Sequence, residues 1–238
     1  MTRRAERTLV VLQPGYLPWL GFFDQVRRAD VFVYYDDVQF DTHGWRNRNR
    51  VKSPRGAHWL SVPVRHAWPN LIADVEVDNR QPWARKHIGT LQQFYARAPH
   101  TPEYLPTLEA LLSQPWQRLV DLDIALSEQL CQWLGISTPR LRASELGVPG
   151  SRSQRLIDMC VHFGATRYLS GDAASAYLDV ELFNRAGIAV EWQHFVHPEY
   201  PQQFGAFVPY LSVVDLLFNC GADSHAILSR SPALQVFA

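Results

Sequence analysis

The chain has 238 residues, with 23 basic and 23 acidic side chains, 47% hydrophobic residues and 12% aromatic residues. This length can bury the core of one large domain or two small ones, and the net charge of zero argues against a protein that binds long nucleic acid. No stretch reaches the roughly 20 apolar residues that a membrane-spanning helix needs, and the apolar run near the start is too short for a signal peptide.

The three cysteines, Cys131, Cys160 and Cys220, are odd in number, lie far apart and have apolar neighbours. This usage favours buried free thiols in a reducing compartment. Cys220 precedes a glycine and is the one thiol whose reactivity the pattern leaves open. We therefore expect a soluble, cytoplasmic protein without a membrane span.

Residues 8–35 predict a βαβ unit. The unbroken apolar run at 8–12 is typical of a central parallel strand that is buried on both faces, and Pro14 and Gly15 end it. Apolar residues at 17–26 then predict a helix that packs on the sheet. The second strand is predicted at 31–35, and a unit of this kind has a right-handed connection.

Residues 41–150 interrupt this alternation. Two extended runs, 46–52 and 59–64, flank a turn rich in proline and glycine and predict a β-hairpin. Apolar side chains at helical spacing predict helices over 83–96 and about 119–134. We therefore expect a hairpin and a helical segment inserted into an α/β domain.

The second half of the chain returns to alternating helices and strands. Ser151 or Ser153 can cap a helix that ends near Gly164. The predicted fold class for residues 1–238 is a single α/β domain with a doubly wound, Rossmann-like parallel sheet. The elements predicted after that helix are a strand at 167–169, a helix at 177–186, a strand at 188–192 and a helix at 212–219.

Polar or turn-forming residues follow three of the predicted strands. In a doubly wound sheet, parallel strands end at one edge, where ligands bind near the point at which the strand order reverses. Strands also commonly end in Gly, Asp and Pro for structural reasons alone. We predict that a binding site forms here from Gln13 and Tyr16, from Asp36, Asp37 and Gln39, and from Ser170, Gly171 and Asp172.

One short segment alternates arginine with asparagine. In a strand, Arg46, Arg48 and Arg50 would share one face, and Asn47 and Asn49 would share the other. Three guanidinium groups in a row form a donor array that suits phosphate or carboxylate. The alternative is a solvated edge strand that is protected by charge. Because the chain is neutral overall, a small anionic substrate is the better partner for such an array.

Two further segments supply titratable groups, Lys86 with His87 and His197 with Tyr200. His197 follows the last predicted strand and can reach the same edge, where a histidine is a natural general base near neutral pH. The alternative for any one histidine is a packed or surface position. No third residue with ligand spacing accompanies His194 and His197, so we expect no metal site. No phosphate-loop, dinucleotide or nucleophile-elbow motif identifies a cofactor.

The chain resembles the WbqC-like family along essentially its whole length. The early stretches are 11–23 (VLQPGYLPWLGFF), 35–40 (YDDVQF) and 44–50 (GWRNRNR), and the later ones are 168–171, 177–179, 197–202 (HPEYPQ) and 211–217. This resemblance implies an association with bacterial O-antigen and other biosynthetic gene clusters. It also implies acyl or aminoacyl transfer to sugars as an activity.

The opening of the chain is similar to that of HIGH-motif nucleotidyltransferases, which implies a HUP-type version of the Rossmann-like fold. Those enzymes present two histidines to nucleotide phosphates at the start of the first helix, where backbone N–H groups favour anions. Here residues 18–22 read PWLGF, so Gly21 is kept and the histidines are absent. This difference argues against adenylyl or cytidylyl transfer.

Our first functional hypothesis is a biosynthetic transferase that acts on a nucleotide-linked sugar or on a carrier-bound acyl or aminoacyl group. Its phosphates would bind near the three arginines. The predicted catalytic residues are His197, as general base, and Asp36 and Asp37, which would orient the acceptor with Gln39. The alternatives are a divergent nucleotidyltransferase and a non-catalytic binding or scaffold protein of a biosynthetic pathway.

Aromatic side chains complete the predicted substrate site. Tyr16, Trp19 and Trp45 would stack on a ring of the substrate. The remaining residues predicted to bind substrate are Gln13, Gln39, Arg46, Asn47, Arg48, Asn49, Arg50, Lys86, His87, Ser170, Gly171, Asp172, Tyr200 and Gln202.

Overall fold

The computed structural model describes residues 6–42, 44–66 and 69–230, within which the chain forms nine strands and nine α-helices. The strands are β1 (Thr8–Leu12), β2 (Val31–Tyr34), β3 (Arg48–Ser53), β4 (Gly56–Ser61), β5 (Val64–Arg65), β6 (Glu76–Val77), β7 (Arg140–Arg142), β8 (Arg167–Ser170) and β9 (Ala189–Trp192). The helices are α1 (Leu20–Arg28), α2 (Trp83–Phe94), α3 (Thr101–Leu112), α4 (Leu119–Trp133), α5 (Ala143–Leu146), α6 (Arg152–Phe163), α7 (Val180–Arg185), α8 (Val213–Cys220) and α9 (Ser224–Leu228).

The main sheet has five parallel strands in the order β7-β2-β1-β8-β9. β1 lies at the centre of the sheet and pairs with β2 on one side and with β8 on the other. The strand order therefore reverses between β1 and β8. This topology confirms the predicted α/β fold with a Rossmann-like parallel sheet.

Both faces of the sheet are covered, which explains the unbroken apolar sequence of β1. Val10 and Phe32 point into the core that contains the apolar side of α1. Leu9 and Val31 belong to a second core, which α6 and α7 complete with Ile157 and other apolar residues. Successive strand residues thus alternate between two hydrophobic layers.

The chain leaves the main sheet after β2 and returns to it at β7. The antiparallel hairpin β3–β4, the short pair β5–β6 and the helices α2 to α4 lie between these two strands in sequence. The sequence pattern does not predict β7, because Arg140–Arg142 has a single apolar residue, so the predicted insertion at 41–150 includes a strand of the main sheet. α3 is also unpredicted, because Pro102 occupies its first turn, where a proline is tolerated, rather than ending a helix.

The loop after β1 fastens the hairpin to the main sheet. The backbone N–H of Tyr16 donates to the carbonyl oxygen of Arg46 at 3.0 Å. The amide of Asn49 donates to the carbonyl oxygens of Tyr16 and Leu17 at 3.2 and 2.7 Å. A Cβ atom on Gly15 would lie 2.8 Å from the carbonyl oxygen of Trp45, so only glycine allows this close approach.

Across the ranges that the structure describes, every helix is too short or too polar to traverse a bilayer.

Candidate functional site

A cavity of 660 Å³ opens at the carboxyl edge of the sheet, where the strand order reverses. Its walls come from the ends of β1, β2 and β8, from the start of α6 and from a 3-10 turn at 172–176. Open parallel sheets bind ligands at this position. We call it the switch-point cavity, and it is lined by Val11, Leu12, Gln13, Gln25, Tyr35, Val38, Arg152, Ser153, Leu156, Tyr168, Ser170, Gly171, Ala173, Ala174, Tyr177 and Leu178.

All three of the predicted strand ends reach this cavity. Gln13 lines it after β1, and Val38 lines it after β2. Ser170, the last residue of β8, and Gly171 also line it. The parallel sheet therefore brings the predicted residues Gln13, Ser170 and Gly171 to the same cavity, whereas Asp36, Asp37 and Gln39 do not line it.

Tyrosine and glutamine side chains give the cavity its chemical character. Burial raises the pKa of Tyr168, and the nearby Tyr177 and Tyr35 raise it further. Burial also raises the pKa of Tyr35, so the phenol groups of Tyr35 and Tyr168 stay neutral at physiological pH. Gln13 adds an amide group to the lining, whereas the buried Gln25 amide donates to Gln193 Oε1 at 2.9 Å. The lining thus offers neutral hydrogen-bonding groups beside flat aromatic rings.

The start of α6 provides positive potential. Ser151 precedes the helix without a capping side-chain bond, and Arg152 and Ser153 line the cavity. The N–H groups in the first turn of a helix carry partial positive charge. Arg152 also has a φ of 53°, a strained conformation for a residue with a side chain. An anionic part of a ligand would meet a cation and a helix N-terminus here.

Asp36 and Asp37 are held by protein partners. Asp36 is fully buried and accepts hydrogen bonds from Arg142 Nε at 2.9 Å and from the backbone N–H and hydroxyl of Ser144 at 2.9 and 2.7 Å. Asp37 pairs with both terminal nitrogens of Arg155. These bonds join the end of β2 to α5 and α6. Both carboxylates are therefore bonded to groups of the protein, and neither needs a substrate as its partner.

Gln39 and Asp172 lie at the protein surface outside the cavity lining. The side chain of Gln39 is exposed, and its backbone pairs with that of Leu71. Asp172 accepts a hydrogen bond from the backbone N–H of His194 at 3.1 Å. Neither side chain lines the switch-point cavity.

Trp19 covers the start of α1. A Cβ atom on Gly21 would lie 2.2 Å from the Trp19 indole, so the ring rests directly on the glycine. The indole also contacts the rings of Phe195 and Tyr210, with centroids 5.2 and 5.5 Å away. The start of α1 is therefore covered by an aromatic side chain and leaves no open space beside Gly21.

Two of the three predicted arginines share a surface of the hairpin. β3 begins at Arg48, and the guanidinium groups of Arg48 and Arg50 lie 4.9 and 5.6 Å from the centroid of the Trp59 ring. Trp59 stacks on Trp45 with centroids 5.2 Å apart, and both rings are more than 40% exposed. Cation–π contacts of this kind hold the two guanidinium groups in place.

Arg46 precedes β3 and points towards the interior, where it donates to the carbonyl oxygen of Pro14 at 2.8 Å. Burial lowers its pKa, although Asp123 opposes that change. Asp123, on α4, is fully buried, and neither of its carboxylate oxygens has a hydrogen-bond partner among the described residues. Burial raises the pKa of Asp123 well above its usual range, despite the attraction of Arg46.

Tyr16 and His87 form a buried pair. The Tyr16 hydroxyl lies 2.8 Å from His87 Nδ1, and Tyr16 has no exposed surface with which to stack on a substrate. Burial lowers the pKa of His87 to about 4, so this imidazole is neutral at physiological pH. His87 lines a second hollow together with Asn47 and Lys86, between the hairpin and α2.

His197 lies in an aromatic cluster rather than in the cavity lining. The rings of Tyr210, Phe207 and Tyr200 have centroids 5.3, 5.6 and 6.2 Å from that of its imidazole. Burial lowers the pKa of His197, which favours the neutral form that a general base needs. Its Nε2 atom is buried and has no hydrogen-bond partner within the described part of the chain.

Tyr200 and Gln202 bind Asp215 in a buried network. The Asp215 carboxylate accepts hydrogen bonds from Tyr95 Oη at 2.6 Å, Tyr200 Oη at 2.9 Å and Gln202 Nε2 at 2.8 Å. Lys52 Nζ donates to Gln202 Oε1 at 3.2 Å. We call these five residues the Asp215 network, and it joins β3, the end of α2 and α8.

Among the described residues, no three His, Cys, Asp or Glu side chains are grouped so that they would hold a metal ion. Burial raises the pKa of Cys131 and Cys160 to about 12 and that of Cys220 to about 11. All three thiols are therefore protonated at neutral pH and are poor nucleophiles in this conformation.

Most of the lining residues are not predicted from the sequence, although three of them, Tyr35, Arg152 and Tyr177, had a usable signal. Tyr35 ends the second predicted strand, and Arg152 and Tyr177 lie at the start of predicted helices that face the carboxyl edge. Their positions at the ends of elements point to that edge. Gln25 lies within α1 and is buried, and nothing in the local sequence separates it from a surface glutamine.

The comparisons with known proteins agree with the resemblance seen in the sequence. The sequence profile of the WbqC-like protein family matches residues 13–227. The uncharacterized protein Rv1507c of Mycobacterium tuberculosis is 33% identical over 222 residues, which cover 92% of this chain and 96% of that protein. No solved structure gives a significant match. Since the match spans nearly all of the chain, this protein belongs to the WbqC-like protein family.

Proposed function

We propose that this protein is a biosynthetic transferase that binds a nucleotide-linked sugar in the switch-point cavity and transfers an acyl or aminoacyl group to it. The observation that carries this proposal is the convergence of three strand ends on one cavity of 660 Å³. A cavity of this size is in the range of small-molecule sites, about 300–1,000 Å³.

The lining suits the two chemical parts of such a substrate. The hydroxyl and amide groups of Gln13, Ser170 and Tyr168 can exchange hydrogen bonds with sugar hydroxyls. The ring of Tyr177 is 76% exposed at the cavity and offers a flat apolar face to a sugar or base. Arg152 and the first turn of α6 provide the positive charge that phosphates require.

Binding is tested by thermal unfolding with a panel of nucleoside diphosphate sugars, nucleotides and amino acids. A ligand present at one hundred times its Kd adds about 2.7 kcal/mol of stability. We expect Arg152→Ala and Tyr177→Ala to remove the stabilisation by the sugar nucleotide. The controls are Arg185→Ala and Phe204→Ala, an exposed arginine and an exposed aromatic residue outside the cavity lining. If the controls weaken binding as much as the cavity variants, the ligand binds elsewhere.

The general base is tested separately with His197→Gln. Loss of turnover with unchanged affinity for the sugar would support His197 as the base, in a conformation that exposes Nε2. Unchanged turnover would remove His197 from the mechanism. Binding of a sugar nucleotide without turnover for any acyl or aminoacyl donor would favour a binding protein over a transferase.

A further inference from the structure

A second hollow, with a volume of 1100 Å³, lies between β4 of the hairpin and α2. We call it the hairpin groove. The loop after β1 connects it to the switch-point cavity, because Gln13 lines the cavity and Tyr16, three residues later, contacts His87 in the groove wall. Two ligands bound in these hollows would therefore approach the same loop from different sides.

The charges that line the hairpin groove have one sign. Arg85 and Lys86 project from the first turns of α2 and are exposed, and neither has an ion-pair partner within the described residues. His58 lines the opposite wall on β4. No aspartate or glutamate is among the described residues that line the groove. A basic groove without counter-charges favours an anionic ligand.

The inner wall also contains an unsatisfied acceptor. Asn47 Nδ2 donates to the carbonyl oxygen of Val62 at 2.9 Å, whereas Asn47 Oδ1 is buried and has no partner among the described residues. A buried acceptor of this kind calls for an N–H or O–H donor. Trp59, which is 45% exposed, adds a flat apolar surface to the same groove.

We propose that the hairpin groove binds the second substrate, an acyl or aminoacyl thioester whose carrier arm bears phosphate and amide groups. The phosphates pair with Arg85 and Lys86, an amide N–H of the arm donates to Asn47 Oδ1, and the arm packs against Trp59. This assignment rests on the proposed function, because it names the donor for the transfer. No single small anion accounts for both the basic wall and the buried acceptor.

The transfer step needs no further reactant. A hydroxyl oxygen of the sugar attacks the thioester carbonyl carbon, and a C–O ester bond forms as the C–S bond breaks. The proton of the hydroxyl passes to the thiolate that leaves, so the products are the acylated sugar and the free thiol of the carrier arm.

The experiment is isothermal titration of the full chain with coenzyme A, which supplies both phosphates and amide groups. We expect the double variant Arg85→Ala/Lys86→Ala to bind coenzyme A at least roughly tenfold more weakly, because two charge-assisted contacts are lost. Arg97→Ala, an exposed arginine beyond the end of α2, is the matched control and should bind as the wild type does. Inorganic phosphate should bind more weakly than coenzyme A, since it has no amide N–H to donate to Asn47 Oδ1.

Two results would overturn the assignment. One is equal affinity of the wild type and the double variant for coenzyme A, and the other is no binding of coenzyme A to the wild type at millimolar concentration. The variant Tyr177→Ala keeps this outcome separate from the proposed function. Binding of coenzyme A that depends on the groove and not on Tyr177 supports the groove even if no sugar nucleotide binds in the cavity.

Discussion

The Asp215 network and the switch-point cavity contain the same kinds of side chain, but these side chains have a structural role in the network and a proposed binding role in the cavity. Tyr95, Tyr200 and Gln202 meet around one buried carboxylate, where each polar group is matched to a protein partner. In the cavity, Gln25 Nε2 likewise donates to Gln193 Oε1 at 2.9 Å, whereas Gln13 and the exposed Tyr177 face a volume of 660 Å³. Residue type therefore does not decide between a structural and a binding role. The position of the partner, on the same chain or in a cavity, decides it.

This difference has an energetic consequence. A complete buried network stabilises the fold. When one member is removed, the free energy of unfolding falls by several kcal/mol, because the other members stay buried without partners. Side chains that face a cavity can be hydrated when a neighbour is changed. Replacing one of them should therefore change the free energy of unfolding little and lower the affinity for the ligand more. Stability and affinity should thus respond to different variants.

The largest expected effect is that of Asp215→Ala. Two tyrosine hydroxyls and the Gln202 amide would lose their acceptor in the interior, so we expect the free energy of unfolding to fall by about 3–5 kcal/mol. Urea denaturation measures this change. Asp223→Ala, an exposed aspartate near α8, should alter stability by less than about 0.5 kcal/mol. Equal effects of the two variants would contradict a structural role for the network.

A second prediction concerns the pH dependence of the His87–Tyr16 pair. The pKa of His87 falls from its ordinary value of 6.5 to about 4 in the folded protein. The unfolded chain therefore binds a proton first as the pH drops, and stability that is complete above pH 6.5 is lost between about pH 6.5 and 4. The loss should approach about 3 kcal/mol, since one pKa unit corresponds to about 1.4 kcal/mol.

Urea denaturation at pH 7 and at pH 4.5 measures this slope. His87→Gln removes the titrating group and should make stability less dependent on pH in this window. His162→Gln, a change at an exposed histidine on α6, should leave the slope as it is in the wild type. An unchanged slope in His87→Gln would show that other groups cause the acid sensitivity.

Periodicity predicts the fold well where one face or both faces of an element are apolar. Five elements lie within a few residues of their predicted ranges, because the spacing of their apolar side chains follows their buried faces: β1, β2, α2, α4 and α6. β7 has no such spacing and joins the sheet through backbone pairing with β2. Short edge strands of this kind depend on tertiary contacts, which a local pattern does not contain.

The candidate site is harder to predict than the fold, because the sequence gives positions and not partners. Alternation correctly places Arg48 and Arg50 on one surface, but β3 starts too late to include Arg46. Asp36 resembles a free carboxylate after a strand, until the structure brings Arg142 to it across more than one hundred residues. Asp123 had a visible signal, since it is a charged residue on the apolar side of the predicted helix over 119–134.

The smallest expected effect is that of a variant in the switch-point cavity. Ser170→Ala removes one hydroxyl from the cavity lining, where it can bond a ligand, so we expect the affinity for a sugar nucleotide to fall about fivefold, or about 1 kcal/mol. The free energy of unfolding should fall by no more than about 1 kcal/mol, the ordinary cost of losing the hydrogen bond that Ser170 shares with Tyr168. Titration calorimetry and urea denaturation of the same variant measure the two quantities.

Ser175→Ala, in the neighbouring 3-10 turn but outside the lining, should leave affinity unchanged. A large loss of stability in Ser170→Ala, with affinity unchanged, would mean that the cavity is built like the Asp215 network and not for a ligand.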